Sequence, residues 1–235
     1  MKKFLLLLLG FVAIANAQQP DAAKPQRAAR KPDASLAKIT DEPGLPRVLI
    51  IGDSISMGYT LPTRALLRGK ANLHRIPRNG GSTKDGLQYM DGWLAEGKWD
   101  VIHFNWGLHD LKHMKNGKLD PTGPQVSTLE EYEKNLRDIV KKMKATGAKL
   151  IWATTTPVPE GSDGRMQKDE LKYNEAAARV MKDAGVPTDD LHAVCMPKLA
   201  EWQRPKNVHF TEAGYAGLAA KVAADIGAAL ERFKR

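Results

Sequence analysis

The sequence has 235 residues, of which 42% are hydrophobic and 27% charged, and its formal net charge is +9. The lysines are spread among glutamates along helical patterns and do not alternate with aromatic residues. This favours solvated helix faces and argues against a nucleic-acid partner. Cys195 is the single cysteine, so the chain has no internal disulfide, and its apolar neighbours predict a buried thiol.

Residues 1–17 have the pattern of a cleavable secretory signal peptide. Lys2 and Lys3 precede an apolar run, and Ala15 and Ala17 frame a small-residue cleavage site. The run is shorter than the ~20 residues that a membrane-spanning helix needs. We therefore expect a secreted or periplasmic protein with no stable membrane insertion after signal cleavage.

Composition divides the remaining chain in two. Residues 18–45 are rich in Gln, Pro, Ala, Lys, Arg and Asp without apolar periodicity, which predicts a flexible linker. Residues 46–235 are long enough to bury one substantial core and are expected to form a single domain.

Strand and helix patterns alternate along this domain. Short apolar or β-branched runs predict strands at 47–51, 73–76, 101–104 and 149–153, and a weaker one at 191–194. Helical spacing predicts helices at 127–147, with Ser127 and Glu130 as a capping box, at 168–184 and at 211–233. Buried strands joined by helices indicate an α/β fold, a three-layer α/β/α sandwich with a central parallel sheet. In such sheets the functional residues collect beyond the carboxyl ends of the strands.

Two of these strand ends carry small and hydroxyl residues. Ser54 follows the first strand in Gly52-Asp53-Ser54, where it either presents a nucleophilic hydroxyl or only caps the next helix. Gly80 and Gly81 follow the second strand. They predict either an ordinary turn or a close backbone approach to a ligand with an N–H free to donate.

Two further ends carry histidines. Asn105, His109 and Asp110 share the loop after the third strand, and His209 precedes the last helix. From there an imidazole can reach a serine held on another strand end, as nucleophilic catalysis requires. A metal site made of His103, His109 and His113 ranks low, because no cysteine or further carboxylate completes a ligand set.

With these four motifs in this order, the chain resembles the SGNH hydrolase superfamily, or GDSL-like lipases and esterases, over residues 46–233. The characteristic motifs of that superfamily are called blocks and are numbered along its sequence. The resemblance implies a flavodoxin-like SGNH hydrolase fold. It also implies Ser54 as the serine nucleophile and His209, in His209-Phe210-Thr211, as its base. It further implies that the backbone N–H groups of Ser54 and of the second-block glycine hold the oxyanion. That glycine falls on Gly81, with Gly80 as the alternative.

Two blocks depart from the family pattern. Where the third block usually has G-x-N-D, this chain has Gly107-Leu108-His109-Asp110, so His109 or Asn105 must supply the side-chain oxyanion donor. The sequence of residues 104–112 is similar to a recurring variant of the superfamily in exported bacterial proteins.

In the fifth block, Lys206 occupies the position of the triad acid. Asn207 or a backbone carbonyl would then orient His209, or an acid such as Asp189 or Asp190 would come from another loop. On the first reading, Lys206→Asp should raise kcat.

The resemblance implies an exported serine esterase acting through a Ser54 acyl-enzyme, with no metal or organic cofactor. The expected substrate is a small-molecule or carbohydrate ester, with O-acetyl groups on carbohydrate favoured by analogy. Two alternatives stay open: a catalytically degenerate carbohydrate-binding domain, and a lipase or thioesterase for longer acyl chains. The sequence leaves the oligomeric state open.

Overall fold

The computed structural model describes residues 33–231. These residues form seven strands: β1 Arg47–Ile51, β2 Asn72–Arg75, β3 Val101–Phe104, β4 Met114–Lys115, β5 Lys118–Leu119, β6 Lys149–Ala153 and β7 Thr188–Asp189. Five of them make one parallel sheet in the order β2-β1-β3-β6-β7, and β4 and β5 form a separate antiparallel hairpin.

Helices cover this sheet. Their bounds are α1 Ser54–Leu66, α2 Thr83–Leu94, α3 Leu129–Lys144, α4 Asp169–Ala184, α5 Leu191–Cys195, α6 Leu199–Trp202 and α7 Glu212–Glu231, with 3₁₀ turns at Ala34–Leu36 and Met196–Lys198. Helix α1 packs against α7, while α2 packs against α3 and α3 against α4. The predicted α/β sandwich with a central parallel sheet is confirmed.

The core explains why the strands form where they do. Val48, Ile50, Ile51, Val101 and Phe104 are fully buried in neighbouring strands. Burying one such side chain stabilises the fold by ~1.5–3 kcal/mol. Cys195 is also buried, as predicted, and burial raises the pKa of its thiol to about 12.

The structure corrects two local predictions. The weak strand predicted at 191–194 is wrong: this stretch belongs to helix α5, because the Asp190 side chain accepts a hydrogen bond from the Ala193 N–H and caps it. The capping box of α3 is Thr128 with Glu131, one residue beyond the predicted pair. The predicted end of the last helix, at residue 233, lies outside the described residues.

The segment before β1 contacts the edge strand β2 and helix α1. The Glu42 N–H donates to Asn72 Oδ1 at 2.8 Å, and Arg64 donates to the Ala37 carbonyl at 3.2 Å. The composition-based boundary at residue 46 therefore does not mark where contacts with the domain begin. The predicted signal peptide and residues 18–32 of the predicted linker lie outside the described residues. Between residues 33 and 231, no helix combines the length and the apolar character needed to cross a bilayer.

Candidate active site

Ser54 is the first residue of α1, directly beyond the carboxyl end of β1. Asp53 caps this helix, with Oδ1 accepting from the Ile55 N–H at 2.9 Å. The chain after β2 approaches closely here, since a Cβ at Gly80 would lie 2.8 Å from the Gly52 carbonyl oxygen. Only glycine fits at position 80, and it brings the second-block turn against the base of the serine loop.

A hydrogen-bonded relay joins Ser54 to His209 and Asn207. Ser54 Oγ lies 2.8 Å from His209 Nε2, and His209 Nδ1 lies 2.7 Å from Asn207 Oδ1. The Asn207 atom also accepts from the backbone N–H of His209 at 3.0 Å, so it is the amide oxygen. Because that oxygen only accepts, Nδ1 carries the ring proton and Nε2 is left unprotonated toward Ser54.

The two acidic residues proposed from the sequence to replace the triad acid, Asp189 and Asp190, are bonded to residues other than His209. Asp189 lies 2.9 Å from His103 and 3.1 Å from Lys221, and Asp190 accepts from Thr154 Oγ1 at 3.1 Å. Lys206 is exposed, with its side chain beside Gly161. Within residues 33–231, no carboxylate is hydrogen-bonded to His209.

The backbone donors predicted for the oxyanion hole differ in their present bonds. In the described part of the chain the Ser54 N–H has no hydrogen-bond acceptor. The Gly80 N–H donates to the Gly52 carbonyl at 2.9 Å. The Gly81 N–H donates to Asn79 Oδ1 at 2.9 Å, and Gly81 has a left-handed φ of 62°. Its bond can be released by rotation of one side chain, whereas that of Gly80 belongs to the backbone.

The side-chain donors lie in the loop after β3. Asn105 Nδ2 donates to the Ala153 carbonyl at 2.8 Å. His109 Nδ1 lies 3.4 Å from Lys112 Nζ, a group that only donates, so the His109 proton sits on Nε2. This Nε2–H has no partner among residues 33–231 and is the freer of the two candidate donors.

Asp110 holds this loop in place through Thr83. Its carboxylate accepts from the Thr83 N–H at 3.0 Å and from Thr83 Oγ1 at 2.6 Å. Burial raises the pKa of Asp110 to about 6. The contacts tie the β3 loop to the start of α2.

Burial and nearby charges together favour the neutral form of both imidazoles. Burial lowers the pKa of His209 and of His109, and the charge of Arg165 lowers both further, while the charge of Asp53 raises both. Arg165 lies between β6 and α4 and donates from Nε to the Leu108 carbonyl at 2.9 Å. Sequence reasoning missed Arg165, because a lone arginine in a polar loop carries no motif.

The three histidines weighed as metal ligands have separate surroundings. His103 is buried beside Asp189, and His113 Nδ1 lies 2.8 Å from the Gly123 carbonyl oxygen. Across residues 33–231, no group of three or more His, Cys, Asp or Glu side chains is arranged to hold a metal ion.

A serine and a histidine within hydrogen-bond reach, at the carboxyl edge of a parallel α/β sheet, define the class as a serine hydrolase. The model of the GDSL-like lipase/acylhydrolase family matches residues 50–216. The chain belongs to this family, within the SGNH hydrolase superfamily, and is an ester-hydrolysing enzyme.

Solved structures share the fold. A lipase/acylhydrolase from Enterococcus faecalis is 20% identical with a TM-score of 0.67, covering 78% of this chain and 96% of its own. The acetyl xylan esterase AlAXEase is 19% identical with a TM-score of 0.64, covering 77% and 99%. Axe2, an acetylxylan esterase from Geobacillus stearothermophilus, is 20% identical with a TM-score of 0.60, covering 77% and 94%. A comparison with curated proteins finds no match.

Proposed function

We propose that this protein is an exported serine esterase that removes short acyl groups, with O-acetyl groups on carbohydrate as its substrate class. The observation that carries the proposal is the 2.8 Å contact between Ser54 Oγ and His209 Nε2, with Asn207 on the far side of the ring. This is the geometry of an activated nucleophile with an oriented base.

In the first half of the reaction, His209 Nε2 takes the Ser54 proton while Oγ attacks the ester carbonyl carbon. The electron pair of the carbonyl moves to its oxygen, giving a tetrahedral oxyanion. Collapse of this intermediate breaks the bond to the alcohol, which leaves with the proton from His209. Water then attacks the acyl-enzyme with His209 again as base, and the acid is released. No step uses a metal or an organic cofactor.

The oxyanion is assigned three donors: the Ser54 N–H, the His109 Nε2–H and the Gly81 N–H. The first two have no competing acceptor in the described part of the chain. The Gly81 N–H becomes available when the Asn79 side chain turns away from it. Asn105 is the weaker candidate, because its amide already supports the end of β6.

Two observations support a short acyl group. Two of the structures that share this fold are described as acetyl xylan esterases. An apolar groove of about 1160 Å³, lined by residues that include Leu66, Leu67 and Leu230, lies at the opposite end of the strands, beside Pro46 and Asp100. It is therefore badly placed to hold a long acyl chain attached at Ser54. Export rests on the signal-peptide pattern of residues 1–17.

The rival function is a carbohydrate-binding domain that has lost turnover, which the lysine at the acid position favours. Covalent labelling with a fluorophosphonate separates the two. We expect one adduct, located on Ser54 by mass spectrometry, and loss of both the adduct and short-chain ester hydrolysis in Ser54→Ala. Circular dichroism of both proteins checks that the fold is intact. A folded protein that neither reacts nor hydrolyses esters would support the rival instead.

A further inference from the structure

Arg165 lies beside the candidate active site and has no ion-pair partner in the described part of the chain. Burial lowers the pKa of its guanidinium, and the more distant charges of Asp53 and Asp163 raise it. Its guanidinium donates from Nε to the Leu108 carbonyl at 2.9 Å and from Nη1 to the Asp163 carbonyl at 3.3 Å. Both acceptors are neutral, and no carboxylate in residues 33–231 lies within ion-pair distance of it. Leu108 directly precedes His109, so the guanidinium is fixed against the loop that carries the oxyanion donor.

Lys112 is a second cation of this kind. Its Nζ lies 3.4 Å from His109 Nδ1 and forms no ion pair with any described residue. Burial lowers the pKa of the Lys112 ammonium, and the charge of Arg165 adds to the effect, so the two cations lie near one another. Each keeps donor hydrogens that the described protein does not use.

The nearby acidic side chains accept hydrogen bonds from other groups of the protein. Asp53 caps α1, Asp85 accepts from the Ser82 N–H at 2.8 Å to cap α2, and Asp110 binds Thr83. Arg204 adds a third positive charge, which lowers the pKa of His209 after the larger effect of burial. Among the described arginines, Arg47, Arg137 and Arg179 form ion pairs with carboxylates. Arg165, Lys112 and Arg204 form no ion pair within residues 33–231, so three positive charges without a carboxylate partner lie around the candidate site.

We propose that this esterase selects esters that carry a negatively charged group, such as a carboxylate, next to the scissile bond, and that Arg165 and Lys112 bind that group. Guanidinium and ammonium groups recognise carboxylates by charge-assisted hydrogen bonds. The inference rests on the proposed function and adds the charge of the substrate to it.

The test compares anionic with neutral substrates of similar structure, after the uncatalysed rate of each ester has been subtracted. On the acyl side, the mono-para-nitrophenyl ester of glutaric acid is paired with its methyl ester. On the alcohol side, the acetyl ester of a hydroxynitrobenzoic acid is paired with that of the matching benzamide. We expect kcat/KM to be higher for the anionic member of at least one pair, and the pair identifies the side that carries the charge.

Variants assign the preference to residues. Arg165→Gln should lower the ratio of anionic to neutral kcat/KM on the order of 10–100-fold, as expected for loss of a hydrogen bond between charged groups. Lys112→Gln should lower it in the same direction, and Arg165→Lys should retain part of it. Arg137→Gln removes one surface charge far from the site and should leave the ratio unchanged.

Binding without turnover provides an independent measurement. By calorimetry, the protein should bind an acetamidobenzoate more tightly than the matching acetamidobenzamide, and Arg165→Gln should remove the difference. Loss of all ester hydrolysis would reject the proposed function but leave this binding difference measurable. Equal binding of the two amides together with equal kcat/KM in both ester pairs would overturn the inference. A fall of equal size for anionic and neutral esters in Arg165→Gln would also overturn it, because Arg165 would then act on the oxyanion.

Discussion

Asn207 Oδ1 accepts two hydrogen bonds from His209, one from the ring Nδ1 at 2.7 Å and one from the backbone N–H at 3.0 Å. The double contact fixes the ring orientation and its tautomer. These are two of the three tasks of the acid in a serine triad, the third being to stabilise the imidazolium by charge. An amide oxygen contributes only a dipole to that third task.

The first prediction is that the charge at position 207 sets the rate. Asn207→Ala removes the acceptor for the ring N–H, and we expect kcat to fall on the order of 10–100-fold, as for a lost hydrogen bond to a charged group. Asn207→Asp keeps the acceptor and adds the charge, so kcat should rise on the order of tenfold. Steady-state kinetics on an activated acetyl ester measures both.

Lys206 provides the comparison. The sequence predicts that Lys206→Asp restores the family's acid and raises kcat, but Asn207 already occupies His209 Nδ1 in the structure. We therefore expect the larger increase from Asn207→Asp. Lys206→Asn is the matched control, because asparagine tolerates the left-handed φ of 54° at this position. A larger rise from Lys206→Asp than from Asn207→Asp would mean that the loop rearranges in the active enzyme.

The second prediction is that Asp189 and Asp190 contribute differently to the free energy of unfolding. Asp189→Ala leaves the fully buried His103 without its partner and should lower the free energy of unfolding by ~3–5 kcal/mol, as for a broken buried pair. Asp190→Ala removes the cap of α5 and should cost about 1 kcal/mol. Urea unfolding measures both values. The kcat of folded Asp190→Ala should be unchanged, and its abolition would mean that Asp190 serves as the triad acid.

The third prediction concerns pH. The base must be neutral, and burial lowers the pKa of His209, so the acid limb of kcat/KM should have its midpoint below the ordinary histidine value of about 6.5. Activity is then retained as pH falls toward that value and lost below it. The charge of Arg165 also lowers this pKa, so Arg165→Gln should move the midpoint to higher pH, while Arg137→Gln should not. A midpoint that does not move in Arg165→Gln would contradict the electrostatic role of Arg165.

The strands were predictable from sequence where the apolar signal was continuous. The predicted bounds of β1, β3 and β6 agree with the structure, because each is an apolar run buried on both faces of a parallel sheet. The stretch 191–194 is also apolar and has the same length as β3, and runs this short do not by themselves distinguish a strand from a helix. Asp190 settled the outcome locally by capping α5.

The site was predictable only where a motif marked it. Ser54 and His209 stand in family blocks, and the structure brings them together. Asn207 was one of several possible acceptors, and asparagine's tendency to bond the backbone two residues on explains its contact with the His209 N–H. Arg165 reaches the site through the tertiary fold, which no local pattern reports, whereas Lys112 lies three residues after His109 in the same loop. The hydrogen bond that now holds the Gly81 N–H was equally invisible, because it depends on the rotamer of Asn79.

The last prediction assigns His109 as an oxyanion donor. Lys112 Nζ lies against His109 Nδ1, which leaves the proton on Nε2, and this donor has no partner in residues 33–231. His109→Ala should lower kcat on the order of 10²–10³-fold, as for loss of one oxyanion-hole donor, with a smaller effect on KM. His109→Asn should retain more activity, because it restores an N–H at the position where the family usually has asparagine. Exhaustive treatment with a chelator should leave the rate unchanged. Inactivation by chelator that a divalent metal reverses would reject this role and assign His109 to a metal site instead.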